Sequence, residues 1–223
     1  MSSILGIFAK QPIVGTVKTR LAEATSAEWA CSVAEAFLAD TLERFAAMEV
    51  HRAVVFAPAS AIAFFTSLCG SRYEPIAQST GDLGERLQHF FTLARQRGFS
   101  RIVAIGTDSP TLPIQYVQSA FDLLAEHDVV LGPAFDGGYY LVGCNARALP
   151  IFSSISWSTS RVLEQTVEHV QASCASLALL SPWYDVDTLD DWRMLRGHVQ
   201  AMQASGLNAN VRNTERLIRQ SVG

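Results

Sequence analysis

Short apolar runs alternate with amphipathic stretches along this chain, and that alternation constrains the fold more than any other feature. SILGIFA (3–9) reads as a buried strand, HRAVVFAP (51–58) as a second closed by Pro58, YEPIAQ (73–78) as a weak third and RIVAIG (101–106) as a central one. Between them, SAEWACSVAEAFLADTLERFAA (26–47) repeats apolar residues at three and four, which predicts a helix capped by Thr25 or Ser26. Further helices are predicted at 61–70, 81–98, 112–127, 157–173 and 188–202. Gly70 and Gly98 end two of them, Pro113 lies near one start, and Thr188 is placed to cap the last. The tail NANVRNTERLIRQ predicts a short terminal helix. Strand–helix alternation implies a mostly parallel sheet with helices on both faces. DVVLGPA and GYYLVGC, around FDGG, break the pattern and predict an added antiparallel or edge strand. SLALLSPWYDVD carries the last strand and a loop. One α/β domain spanning residues 1–223 is expected, with no internal repeat or linker.

Open α/β sheets bind ligands outside the carboxyl ends of their strands, so the loops after strands carry the chemistry. The first such loop, FAKQPIVGTVKTRLA, places Ala9 and Lys10 at the strand's end, then Gly15, Lys18 and Arg20. The chain is only 17% charged and has a net charge of −4, so three cations in one loop stand out. Glycine lets a backbone pass close to a ligand. Lysine supplies a point charge and arginine a bidentate fork for phosphate oxygens. The spacing is not that of a Walker loop. In QSTGDLGERL, Gln78 and the backbone at Gly81 are candidates to read a nucleobase edge, and the helix starting there favours an anion. GTDSP delivers Asp108 to the carboxyl edge of the central strand, where a carboxylate suits Mg²⁺ (or Mn²⁺) shared with substrate phosphates. In FDGG, Asp136 is a candidate acceptor-binding residue or base; a plain hairpin turn explains it equally well. In WYDVDTLDDW, Asp185 and Asp187 alternate. If the segment is extended only one faces the site, and it completes the metal site opposite Asp108.

The acidic balance excludes nucleic acid as a general partner, because phosphate backbones call for a basic face. No apolar run reaches the ~18 residues of a bilayer span. The first residues lack the basic region of a secretory signal, so a cytoplasmic protein without membrane insertion is expected. Four scattered cysteines without a C-x-x-C pair fit reduced core thiols, and five separated histidines do not make a zinc site.

FAKQPIVGTVKTRLA, GDLGERL, GTDSP, LGPAFDGGYYLVG, WSTSRVL and DVDTLDDW, in this order, resemble a bacterial family of glycosyltransferase-A-like proteins. That family is described as glycosyltransferases or radical-SAM/selenodomain-associated transferases, within the nucleotide-diphospho-sugar transferase superfamily. The resemblance covers about residues 4–195. It departs in the first motif, where Val14 replaces a proline and Thr16 a basic residue. It implies a glycosyltransferase-A-like, Rossmann-like fold. It also implies metal binding by Asp108 and Asp187, phosphate binding by Lys18 and Arg20, and a nucleobase site at Gln78 and Gly81. The superfamily holds two chemistries. One is nucleotidyl transfer from a nucleoside triphosphate (NTP) to a small anionic acceptor such as a sugar phosphate. The other is glycosyl transfer from a nucleoside-diphosphate (NDP) sugar, with Asp136 as base. The cationic loop favours the first, because a leaving pyrophosphate needs more positive charge than a bound diphosphate. A nucleotide-binding protein without turnover is the third alternative.

Overall fold

The structure is a computed structural model and describes residues 2–147 and 149–220. The strands are β1 (Ser3–Lys10), β2 (His51–Ala57), β3 (Glu74–Ala77), β4 (Arg101–Ile105), β5 (Val129–Pro133), β6 (Tyr139–Asn145) and β7 (Leu177–Leu179). They form one sheet in the order β3-β2-β1-β4-β6-β5-β7. Only β6 runs against the others, antiparallel to both β4 and β5. The added strand expected around FDGG is therefore antiparallel, and it lies inside the sheet.

The helices are α1 (Thr19–Glu23), α2 (Ala27–Phe45), α3 (Ile62–Cys69), α4 (Leu83–Gln96), α5 (Ile114–Leu123), α6 (Val162–Ala172), α7 (Leu189–Ala204) and α8 (Arg212–Gln220). Their placement follows from the two-residue period of the strands. In β1, Leu5, Ile7 and Ala9 join a core with Leu38 and Phe45 of α2, Phe65 of α3 and Phe121 of α5. Ile4 points the other way, into a core with Leu87 and Phe90 of α4 and Val170 of α6. Both faces are covered, so β1 and β4 read as continuous apolar runs rather than alternating ones. A third cluster joins Leu21 of α1, Phe37 of α2, Trp192 of α7 and Ile218 of α8.

Local signals set the helix starts. Ser26 caps α2 by accepting the Trp29 N–H. Asp82 with Glu85, and Thr188 with Asp191, form reciprocal capping boxes on α4 and α7. The helix expected from 157 starts only at Val162, because 157–161 is turned and Ser158 takes φ 62°. The short α1, within the cationic loop, was not expected. The four cysteines are free; Cys31, Cys69 and Cys144 are buried and Cys174 is exposed. No helix among the described residues is long and apolar enough to cross a membrane.

Helix α2 also anchors distant segments. Asp40, 1% exposed, accepts the backbone N–H groups of Asn213 (3.0 Å) and Thr214 (2.8 Å) and so caps α8. One turn on, the half-buried Arg44 donates to the Pro110 carbonyl (3.0 Å) and to the Ala209 carbonyl.

Candidate active site

The chain leaves β1 to pair first with β2 on one side and later with β4 on the other. Such a reversal opens a crevice at the carboxyl edge. A cleft of about 690 Å³ lies there. Its walls come from the end of β1, the loop and first turn at 16–20, the loop at 106–109 after β4, and Asp185 and Asp187.

Lys18 is at the centre of the charged end. Its Nζ pairs with Asp108 Oδ1, donates to Asp187 Oδ1 at 3.0 Å and donates to the Val186 carbonyl at 2.8 Å. The Lys18 side chain is 5% exposed, whereas those of Asp108 and Asp187 are 49% and 37% exposed. Burial alone would lower the pKa of this ammonium; the charges and hydrogen bonds of Asp108 and Asp187 outweigh that and hold it above its ordinary value. The backbone of Lys18 is left-handed, φ 48° and ψ 43°, a conformation that non-glycine residues adopt at a cost. Arg20 is mostly exposed, with Nη1 3.8 Å from Asp187 Oδ2.

Asp185 also lines the cleft. The sequence reading expected only one of Asp185 and Asp187 to face the site. Strand alternation does not apply here, because β7 ends at Leu179 and 184–187 is irregular. Val186 turns into the core while its N–H donates to the Asp108 carbonyl (2.9 Å), leaving both flanking carboxylates on the cleft. Burial pushes the Asp185 carboxyl up to about 7; the charges of Asp108, Asp136 and Asp187 add to this, and the Ser109 hydroxyl, which donates to it, partly offsets it.

The other expected residues divide. Ala9, Lys10 and Gln78 line the cleft. Lys10 Nζ donates to the Thr16 carbonyl at 2.7 Å, closing the loop on itself. Gln78 Nε2 donates to the Val55 carbonyl (2.7 Å), and its Oε1 accepts from Arg86 (3.2 Å), so much of its amide is already engaged. Gly15, Gly81 and Asp136 are not among the wall residues. Gly81 serves the helix cap: it has φ +104°, and a Cβ there would lie 1.9 Å from Glu85 Oε2. The capping box also fills the α4 N-terminus with the protein's own carboxylates, Asp82 accepting the Glu85 N–H (2.9 Å) and Glu85 the Asp82 N–H (2.8 Å). Two of the N–H groups at that helix end are thus occupied by the protein's own carboxylates. Asp136 Oδ1 accepts the Gly138 N–H (2.9 Å) in the turn between β5 and β6. Gly137 in that turn has φ +89° and passes so close to Ser160 that a Cβ would meet its carbonyl at 2.3 Å.

Arg86 was missed. It lines the cleft from α4 and donates to Gln78 and to the Gly81 carbonyl (2.9 Å). The signal was present: Leu83, Arg86 and Leu87 share one helical face at i, i+3 and i+4, and all three line the cleft.

Comparison with known proteins follows the same lines. A family described as an uncharacterized protein conserved in bacteria, DUF2064, matches residues 41–159, more than half of the chain. The chain belongs to this family. No curated protein matches it. A crystal structure from Desulfovibrio desulfuricans G20, whose description as a nucleotide-diphospho-sugar transferase is provisional, is 34% identical with TM-score 0.87, over 99% of this chain and 98% of that one. A cytidylyltransferase from Leptospira borgpetersenii aligns over 99% of this chain and 94% of its own, at 13% identity and TM-score 0.60. The inositol-1-phosphate CTP transferase from T. maritima aligns over 100% and 98%, at 13% identity and TM-score 0.52. The last two likenesses are of fold. The fold of this DUF2064 protein is that of the nucleotide-diphospho-sugar transferases.

Proposed function

We propose that the protein is a metal-dependent nucleotidyltransferase that uses a nucleoside triphosphate and a small anionic acceptor such as a sugar phosphate. An acceptor oxygen attacks the α-phosphorus, the bond from that phosphorus to the bridging oxygen breaks, and pyrophosphate leaves with the electron pair. The carrying observation is one cleft that joins two solvent-facing carboxylates, Asp108 and Asp187, to Lys10, Arg20 and Arg86. The cytidylyltransferase and the CTP transferase, which share the fold, support the same chemistry.

The donor set fits a divalent ion completed by substrate. No group of three metal-ligating side chains stands together among the described residues. Mg²⁺ commonly takes only one or two carboxylates and fills its shell with phosphates and water. Asp108 and Asp187 would hold it, and it would neutralise charge on the phosphates. The chain's own groups do the rest. Arg20, free of burial, meets phosphate oxygens with its fork. The Lys10–Thr16 bond keeps the loop in place. Asp185, only about half ionised at pH 7, repels a polyanion less than a fully ionised carboxylate would.

Glycosyl transfer from a nucleotide sugar is the second reading, favoured by the description of the Desulfovibrio relative. It needs an acceptor base, and Asp136, whose Oδ1 accepts the Gly138 N–H of its own turn, is not among the cleft's wall residues. The test begins with thermal unfolding against each NTP and each common NDP-sugar with Mg²⁺ or Mn²⁺. A ligand at a hundred times its Kd adds about 2.7 kcal/mol. Exchange of radiolabelled pyrophosphate into the stabilising triphosphate is then expected. Turnover of a nucleotide sugar without such exchange refutes nucleotidyl transfer. Stabilisation without any turnover leaves a binding protein.

A further inference from the structure

The ammonium of Lys18 has three N–H donors, and all three are used: on Asp108, on Asp187 and on the Val186 carbonyl. None is left for a phosphate oxygen. The side chain is held there by its left-handed backbone, by burial, and by the Phe37 ring, whose centroid lies 5.4 Å from Nζ. Charge leads to the same point. Asp108 and Asp187 contribute two negative charges, Lys18 one positive, and Arg20, 3.8 Å from Asp187, a second. Within this group of four the charges cancel, so the two exposed carboxylates are already matched by the protein's own cations. A divalent ion approaching both carboxylates must either take the place of the ammonium or lie a few ångströms from it.

We infer that Lys18 is the resident counter-ion of the Asp108–Asp187 pair, and that it keeps a divalent ion out until nucleotide phosphates arrive. This rests on the metal-dependent reading above, and it changes the part that Lys18 plays in it. In the free protein Lys18 does not wait for phosphate; it occupies the cation position and sets the order of binding. The negative charges of a triphosphate reverse the local balance. Metal and nucleotide then enter together, and the ammonium shifts from its carboxylates toward the phosphates.

The test is Mn²⁺ binding followed by electron paramagnetic resonance, with no activity measured. Without nucleotide, Lys18→Met should bind Mn²⁺ at least about ten-fold more tightly than wild type, since a like charge next to the ion is gone. With ATP, CTP, GTP or UTP, wild type should gain Mn²⁺ binding beyond that of the free nucleotide. Equal Mn²⁺ affinity of wild type and Lys18→Met, with nucleotide-stimulated binding intact, overturns the inference and leaves the metal-dependent reading standing. No Mn²⁺ binding in either protein, with or without nucleotide, overturns both. Should Lys18→Met fail to fold, wild-type protein answers alone. Lys10 and Lys18 are the only lysines in the chain, so [¹⁵N]lysine labelling gives two ammonium signals. MgCl₂ alone should leave the Lys18 signal in place, and Mg²⁺ with the stabilising triphosphate should move it. A saturable shift of that signal with MgCl₂ alone overturns the inference.

Discussion

Replacing Asp185 by asparagine should stabilise the protein at alkaline pH, by an amount the structure sets. The Asp185 carboxyl moves from 3.8 to about 7 on folding, because it is buried beside three other carboxylates. Between these values the folded state binds a proton that the unfolded state has lost. Stability therefore falls as pH rises through that window. About three pKa units at 1.36 kcal/mol each give about 4 kcal/mol, fully expressed above the folded pKa. Asparagine keeps the shape and an acceptor for the Ser109 hydroxyl but carries no charge to desolvate. Urea unfolding of both proteins from about pH 4 to pH 8.5 gives the stability difference directly, and other titrations largely cancel in it. Asp185→Asn should gain about 4 kcal/mol on wild type across this range, with the change complete just above pH 7. A difference that stays flat with pH refutes the account of Asp185 as a buried, charge-crowded carboxyl.

Asp108→Asn, which leaves an acceptor for the buried Lys18 ammonium, should fold yet lose the thermal shift given by nucleotide with Mg²⁺; an unchanged metal-dependent shift removes Asp108 from the ligands. Arg20→Ala should lower kcat on the order of 10² and raise KM for the triphosphate less, with Arg20→Lys recovering only part; a pure KM effect would mean uniform binding. Asp136→Asn should leave kcat near wild type, and a collapse of turnover in this variant would move the assignment to glycosyl transfer. Asp40→Ala should cost about 3 kcal/mol in urea and expose α8 to proteolysis, since two buried backbone N–H groups lose their acceptor; a stable, protease-resistant variant would show that α8 docks without its cap.

The legible parts of the fold share a physical reason. SILGIFA and RIVAIG are covered on both faces, so burial writes itself as an unbroken apolar run. Asp108 stands at the end of such a run, which made its place on the cleft readable. The capping pair of Thr188 and Asp191 lies within a few residues in sequence and needed no tertiary knowledge. What escaped depends on contacts made across the chain. The insertion of β6 beside β4 is decided by pairing across dozens of residues. Asp185 reaches the cleft because Val186 is fully buried and bonded to Asp108, which no local alternation encodes. Arg86 was readable from helical spacing, yet the glycines beside it drew attention to the loop. Gly81, a candidate for reading a nucleobase edge, owes its glycine to the turn into α4, where φ is +104° and a Cβ would strike Glu85.

One guanidinium joins parts of the molecule that are remote in sequence. Arg44 of α2 holds Pro110, at the end of GTDSP, and Ala209, just before α8. The loop that carries Asp108 and the segment leading into α8 thus share one anchor, in addition to those each has of its own. Shortening the tail would take away Arg44's partner at Ala209 and leave the anchor loose at its other end. Ala209 and its neighbours before α8, which are not among the cleft's wall residues, are in this sense part of the scaffold that keeps Asp108 in register with Lys18. A minimal engineered version of this protein should keep them.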